Sequence, residues 1–225
     1  MSMLGSRLEA ALELLAKCES NALFADIGSD HAFFAIEAIK RGIAERAIAS
    51  DINPLPLQKG RENAEKQALD IEFVLSDGFD SIENKGVTSA AVCGMGGELI
   101  AGMLLRSETA HRCELILQPM SAPEELRRSM WENGFLIIEE KFVTDSGKPY
   151  VIIRAKYSGN NTKYSYCDLY LGQSRPRCDA FSEYCKKTAI AAKKRRLGHI
   201  ARNESTEEID CLIAYCEDQT QRTSL

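Results

Sequence analysis

The run Leu23-Phe24-Ala25-Asp26-Ile27-Gly28-Ser29-Asp30-His31-Ala32 constrains this chain more than any other stretch. A short apolar segment meets a single glycine between two carboxylates, and a helical apolar pattern follows. In an open α/β sheet, ligands bind beyond the carboxyl end of a strand, where the next helix begins. Gly28 lets backbone approach a ligand closely, and the amides after it point into the crevice. A pyrophosphate site calls for several glycines and no negative charge nearby. Asp26 and Asp30 suit a cationic, amine-bearing ligand instead. A plain strand-to-helix turn with a solvated Asp has the same local sequence, so the reading depends on what lies downstream.

Downstream, apolar runs of strand length alternate with helical stripes. Ser6-Arg7-Leu8-Glu9 has the pattern of a capping box ahead of a helix over about 7–17. Strands are expected over 23–26, 47–52, 71–75, 89–93 and 114–117, all but the third followed by a helix. After Gly134 the rhythm changes. Phe135 to Val143 and Tyr150 to Ala155 flank the turn cluster Thr144-Asp145-Ser146-Gly147-Lys148-Pro149, which predicts a hairpin. Strand–helix alternation argues for a parallel sheet with helices on both faces. With its closing antiparallel pair, the α/β pattern is that of a class I methyltransferase, a Rossmann-like fold, by analogy of fold.

Four strand ends then carry chemistry along one edge of the sheet. Beside Asp26 to His31, Asp51 ends the second strand, where an acid accepts hydrogen bonds from ribose hydroxyls. Asp77 and Gly78 follow the third, where an acid can read an adenine amino group. Cys93 and Gly94-Met95-Gly96-Gly97 follow the fourth, and the glycine-rich turn gives backbone amides and room beside a methyl donor. S-adenosylmethionine (SAM), with its sulfonium, α-amino group, ribose and adenine, fits this set.

The 225 residues suffice for one α/β domain and a small appendage. No apolar run approaches the ~20 residues of a membrane span, and Met1 to Arg7 lacks the apolar core of a signal peptide. A cytoplasmic protein without membrane contact is expected. Of the eight cysteines none forms a Cys-x-x-Cys pair, and His31, His111 and His199 have no ligand-like spacing to them. Neither a disulfide framework nor a metal site is expected.

Residues 157–163 read as a linker between a domain over 1–156 and a helical tail over 157–225. Because the sheet is complete by Ala155, the first domain is expected to fold and bind SAM alone. In the tail, Cys178 to His199 predicts a long helix. Ser205-Thr206-Glu207-Glu208 has the form of a second capping box, and Ile209, Leu212, Ile213 and Cys216 form one helical stripe. A terminal helical hairpin follows. Residues 175–202 carry nine basic and two acidic side chains, against one and six over 203–225. Lys186, Lys187, Lys193, Lys194, Arg195 and Arg196 can therefore bind RNA phosphates, or the hairpin can neutralise itself across its seam.

The chain resembles the bacterial TrmK family, tRNA (adenine-N1)-methyltransferases acting on adenine 22. The likeness is carried by Ser6-Arg7-Leu8, Ala25 to Ala32, Gly94-Met95-Gly96-Gly97 with Leu99-Ile100, and Leu115-Ile116-Leu117-Gln118-Pro119. It spans residues 1 to about 155. It implies SAM as cofactor, tRNA as partner, and a coiled-coil-like C-terminal hairpin; a monomer or weak homodimer is expected. The cofactor contacts it implies are Arg7, Asp26, Gly28, Asp30, His31, Asp51, Ile52, Asp77, Gly78, Cys93, Gly94, Met95 and Gly96. The chain departs from the family at Cys93 (usually Ala), Met120 (usually Asn), Val151 (usually Glu) and Ser50-Asp51-Ile52-Asn53 (a Gly-Glu pair). Asp51 can do what the family's Glu does at the cofactor, and the departures on the substrate side permit an altered RNA target.

Adenine N1 has a free lone pair, so its methylation needs positioning and electrostatics more than a strong base. Asp30 and Asp77 are the carboxylates available to stabilise the cationic product. Gly94-Met95-Gly96-Gly97 is not the Asn-Pro-Pro-Tyr type of motif found with exocyclic-amine methylation, which favours a ring nitrogen. Two other readings stay open: a methyltransferase on another RNA, protein or small molecule, and a SAM-binding RNA-binding protein without catalysis.

Overall fold

The alternating pattern folds, in the computed structural model, into seven strands and eight helices among the described residues, 4–222. The elements are α1 (Ser6–Leu15), β1 (Phe24–Ile27), α2 (Phe33–Lys40), β2 (Ala47–Asp51), α3 (Pro54–Glu65), β3 (Glu72–Leu75), β4 (Ser89–Gly96) and α4 (Gly97–Leu105). They continue as β5 (Glu114–Ser121), α5 (Pro123–Glu132), β6 (Phe135–Asp145), β7 (Lys148–Tyr157), α6 (Tyr166–Leu171), α7 (Asp179–Ala201) and α8 (Glu207–Arg222). The first three residues of the Met1–Arg7 segment lie outside the described residues.

The sheet order is β3-β2-β1-β4-β5-β7-β6. The first five strands pair in parallel, and β7 runs antiparallel to both β5 and β6. The order reverses between β1 and β4, so the crevice of a doubly wound sheet opens there. Strand periodicity sorts the core onto two faces. Leu115, Leu117, Ile153 and Ala155 pack on the side of α4, α5 and the tail. Ile116 and Ile152 pack with α1 and α2. Gly97 has a specific cause: a Cβ there would stand 2.1 Å from the Ala122 carbonyl oxygen, so only glycine lets α4 leave β4 this close to the end of β5.

Three local details differ from the sequence reading. Ser6 lies inside α1, which is preceded by Gly5 and has no side-chain cap. Glu9, the other half of the expected box, binds Arg41 instead at 2.8 Å. Before α8, Thr206 Oγ1 donates to Asp210 and Ser205 Oγ receives only a 3.4 Å contact from the Glu207 amide, so Glu208 closes no box. The reciprocal box sits two helices earlier, where Ser165 and Asp168 cap α6.

The tail does not stand apart. Phe181, Tyr184, Cys185, Ala189 and Ala192 of α7, with Ile209, Leu212 and Cys216 of α8, share one apolar cluster with the sheet. The Phe142 ring meets Phe181 and Tyr184 at centroid distances of 4.8 and 4.9 Å. Beneath them, fully buried Arg127 donates to Glu140 (2.8 Å) and to the Leu169 carbonyl of α6 (2.7 Å). The boundary between residues 156 and 157 therefore marks no gap in packing.

Candidate active site

A crevice of ≈ 430 Å³ opens at the carboxyl ends of β1, β2 and β4 under the start of α1. It is lined by Leu4, Gly5, Arg7, Leu8, Asp26, Gly28, Asp30, Phe33, Phe34, Asp51, Cys93, Gly94, Met95 and Met120. Eight of the residues expected from the sequence thus meet here: Arg7, Asp26, Gly28, Asp30, Asp51, Cys93, Gly94 and Met95.

The turn after β1 is held by backbone. The amides of Gly28 and Ser29 both donate to the Ser50 carbonyl of β2 at 2.8 Å. Gly28 has φ +70°, and a Cβ on it would meet the Met95 methyl at 2.0 Å. Glycine is favoured here by its left-handed conformation, and any side chain would also have to displace the methionine methyl lying across it. His31 and Ala32 follow at φ +60° and +59°, two consecutive left-handed residues before α2 begins. Such strain collects at ligand sites.

Asp26 is 5% exposed, and its carboxylate accepts a 2.6 Å hydrogen bond from Ser29 Oγ. Burial pushes its carboxyl up to about 6, with the Asp51 charge adding, while bonds from Ser29 and the Ala35 backbone oppose the rise. Asp51 accepts from the Asn53 amide at 2.7 Å at the end of β2. Burial pushes the Cys93 thiol up to about 12, with Asp26 adding and Arg7 opposing.

Beside the irregular end of β4, buried Gln118 acts as a clasp. Its Oε1 accepts from the Gly94 amide at 3.1 Å and from Arg7 Nη1, and its Nε2 donates to the Pro119 carbonyl. Arg7 also stands 3.8 Å from Asp145 and 5.8 Å from the Tyr150 ring centroid. Gly94 has φ +85° and lies in an irregular stretch of β4, not in a free turn.

The remaining expected residues lie elsewhere. The Asp77 carboxylate accepts from Arg106 at 2.7 Å, and Gly78 backs onto Met103. Ile52 is 62% exposed. The His31 ring meets Asp30 at 3.1 Å and leans on Phe33. Gly96 precedes α4 beside Ser121. None of these five lines the crevice. Sequence reasoning missed Leu4, Gly5, Leu8, Phe33, Phe34 and Met120 as lining; for the two phenylalanines the signal was an apolar pair opening the helix after the motif glycine. Gln118 was visible only as part of a resembling motif.

Of the tail cations, Lys186 pairs with Glu183 in its own helix (2.6 Å), and Lys193 with Glu217 (2.7 Å) and Arg196 with Asp210 (2.5 Å) across the seam to α8. Lys194 is exposed. Lys187 and Arg195 line a second cavity. Among the described residues no cluster of His, Cys, Asp or Glu could hold a metal, and no helix is long and apolar enough to cross a membrane.

The sheet order and the acidic crevice at its switch point define a Rossmann-like methyltransferase domain. The family model described as a methyltransferase domain matches residues 4–153. The tRNA (adenine(22)-N(1))-methyltransferase of Bacillus subtilis is 29% identical over 173 residues, which are 75% of this chain and 71% of that one. The chain belongs to the methyltransferase-domain family and, within it, to the TrmK family. Sp1610 of Streptococcus pneumoniae, a candidate tRNA (m1A22) methyltransferase solved with S-adenosyl-L-methionine, is 26% identical at TM-score 0.81, over 97% of this chain and all (100%) of that one. The TrmK of M. capricolum, solved with S-adenosyl-homocysteine, shares the fold at TM-score 0.80 and 22% identity, over 96% and 98% of the two chains.

Proposed function

We propose that the protein methylates N1 of an adenine in tRNA with SAM as donor, at the position corresponding to adenine 22 of the B. subtilis relative's substrate. The observation that carries this reading is the acidic crevice at the β1/β4 switch point, with glycines at both strand ends. Its donor set fits SAM. Asp26 and Asp30 answer an ammonium, Asp51 at the end of β2 answers ribose hydroxyls, and Leu8, Phe33, Phe34 and Met95 supply apolar contact. When bound, SAM supplies an electrophilic methyl: a bond from N1 forms as the sulfur–carbon bond breaks, and positive charge passes from sulfur to the adenine ring.

The chain's residues contribute positioning and field. Gln118 fixes Arg7 and the Gly94 amide relative to each other. Asp30 lines the crevice and can face the developing ring charge, whereas Asp77 is engaged with Arg106. Adenine N1 is a pairing-edge atom, so the base has to leave its stack to react. On this reading the protein works in the cytoplasm as a monomer or weak homodimer. The test is transfer of labelled methyl from SAM to bulk tRNA with nucleoside analysis. 1-Methyladenosine is expected; another methylated nucleoside, or label only in protein or small molecules, would remove the assignment.

A further inference from the structure

We infer that the second cavity receives the target nucleotide, and that Lys187 and Arg195 of α7 hold the phosphates flanking it. This rests on the tRNA-methyltransferase reading above. The cavity measures ≈ 340 Å³ and lies between the end of β5, the start of β7 and helix α7. Met120 lines both this cavity and the cofactor crevice, so the two spaces adjoin at one side chain. A volume in the range of about 300–1,000 Å³ suits a small flat ligand. An extruded base is held by stacking on aromatic rings, and Tyr150 and Tyr170 are in the lining.

Charge separates the two cations from the paired cations of their helix, and position separates them from Lys194, which is exposed and outside the cavity lining. Lys186, Lys193 and Arg196 are neutralised by Glu183, Glu217 and Asp210. Lys187 makes no ion pair among the described residues; its Nζ stands 5.8 Å from the Tyr150 ring centroid. Arg195 stacks at 4.6 Å over Tyr170, and its carboxylate contact, Glu124, is 4.0 Å away. Glu124 is also the one acid in the cavity lining. The two α7 cations that line this cavity are thus weakly compensated, and phosphates flanking an inserted base supply what they lack.

The same geometry joins the tail to the cofactor side. Lys187 and Arg7 both contact Tyr150, and Arg7 shares Gln118 with the Gly94 amide. Helix α7 is then a wall of the acceptor site and not a remote handle for RNA.

The experiment compares full-length Lys187→Ala and Arg195→Ala with wild type and with Lys59→Ala on α3. Each cavity variant is expected to raise the KM for tRNA about tenfold and to lower the salt slope of tRNA binding by about one. SAM affinity by calorimetry stays at the wild-type value, and Lys187→Arg restores most of the loss. Wild-type KM and salt slope in both variants, with methylation of tRNA by the parent intact, would overturn the inference and leave the tRNA reading standing. A parent that binds SAM but methylates no tRNA would remove both. Loss of SAM affinity in either variant would also overturn it, by assigning the side chain to the cofactor crevice.

Discussion

Asp26 is a carboxylate held almost out of water at the end of β1, and its elevated pKa of about 6 gives two opposed consequences. Its folded value lies above the ordinary 3.8, so the native state binds the proton more tightly than the unfolded chain. Without ligand, this group then destabilises the protein by roughly 3 kcal/mol above pH 6, a cost relieved as pH falls toward 4. A cationic ligand selects the ionised form, so SAM affinity is expected to be full above pH 6 and to fall by up to about tenfold per pH unit below it. Calorimetry across pH 5–8 checks this, and Asp26→Asn should flatten the profile while melting higher at pH 7 without ligand. Asp51→Ala is expected to weaken SAM by about 1–3 kcal/mol, because a bond to a ligand hydroxyl is lost. Wild-type affinity in that variant would take Asp51 out of the site. The Cys93 thiol lines the same crevice and stays protonated at neutral pH. Slow alkylation of Cys93, blocked by SAM and abolishing methyl transfer, is expected; equal labelling by mass spectrometry with and without SAM would contradict it.

At the scale of elements, the central strands and the hairpin were legible because apolar runs, glycine stops and a turn cluster mark them without reference to distant residues. Two capping boxes were misread for a physical reason: the four-residue pattern is shared by any Ser-x-x-Glu on a helix surface, and Glu9 is claimed by Arg41 from another helix. Short α6 escaped notice although Ser165-x-x-Asp168 signals it, since its six residues give too little periodicity. Of the site, residues fixed by backbone need, such as Gly28 and Gly94, were readable. Asp77 was not, because its partner Arg106 lies at the end of α4, 29 positions away. Arg127 was also silent in sequence, a cation inside an amphipathic helix. It ties α5 to β6 and α6, so Arg127→Met strands Glu140 without its counter-charge. Urea unfolding should show a loss of about 3–5 kcal/mol, largely restored when Glu140→Leu is added.

At the scale of the whole molecule, residues 1–156 and 157–225 read as separable in sequence, yet Phe142 and Phe181 share one core. We therefore expect one cooperative thermal transition for the full chain, and we expect the fragment ending at 156 to melt far lower or aggregate; a fragment with the parent's midpoint would restore the two-domain view. The N-terminal helix adds a constraint in time. Ion pairs from Glu13 in this helix and from Lys17 and Glu19 just beyond its end reach β6 and β7 across 122 to 137 residues: Lys17 to Glu139, Glu13 to Lys141, Glu19 to Lys156. At about 5–20 residues per second, the ribosome delivers those strands roughly ten seconds after α1 has been made. Until then Arg7 has neither Asp145 nor Tyr150 to hold it at the crevice. The nascent chain is expected to gain affinity for the methyl donor only once the closing hairpin has left the exit tunnel, so cofactor capture is timed to the end of synthesis and not to the emergence of the glycine motif.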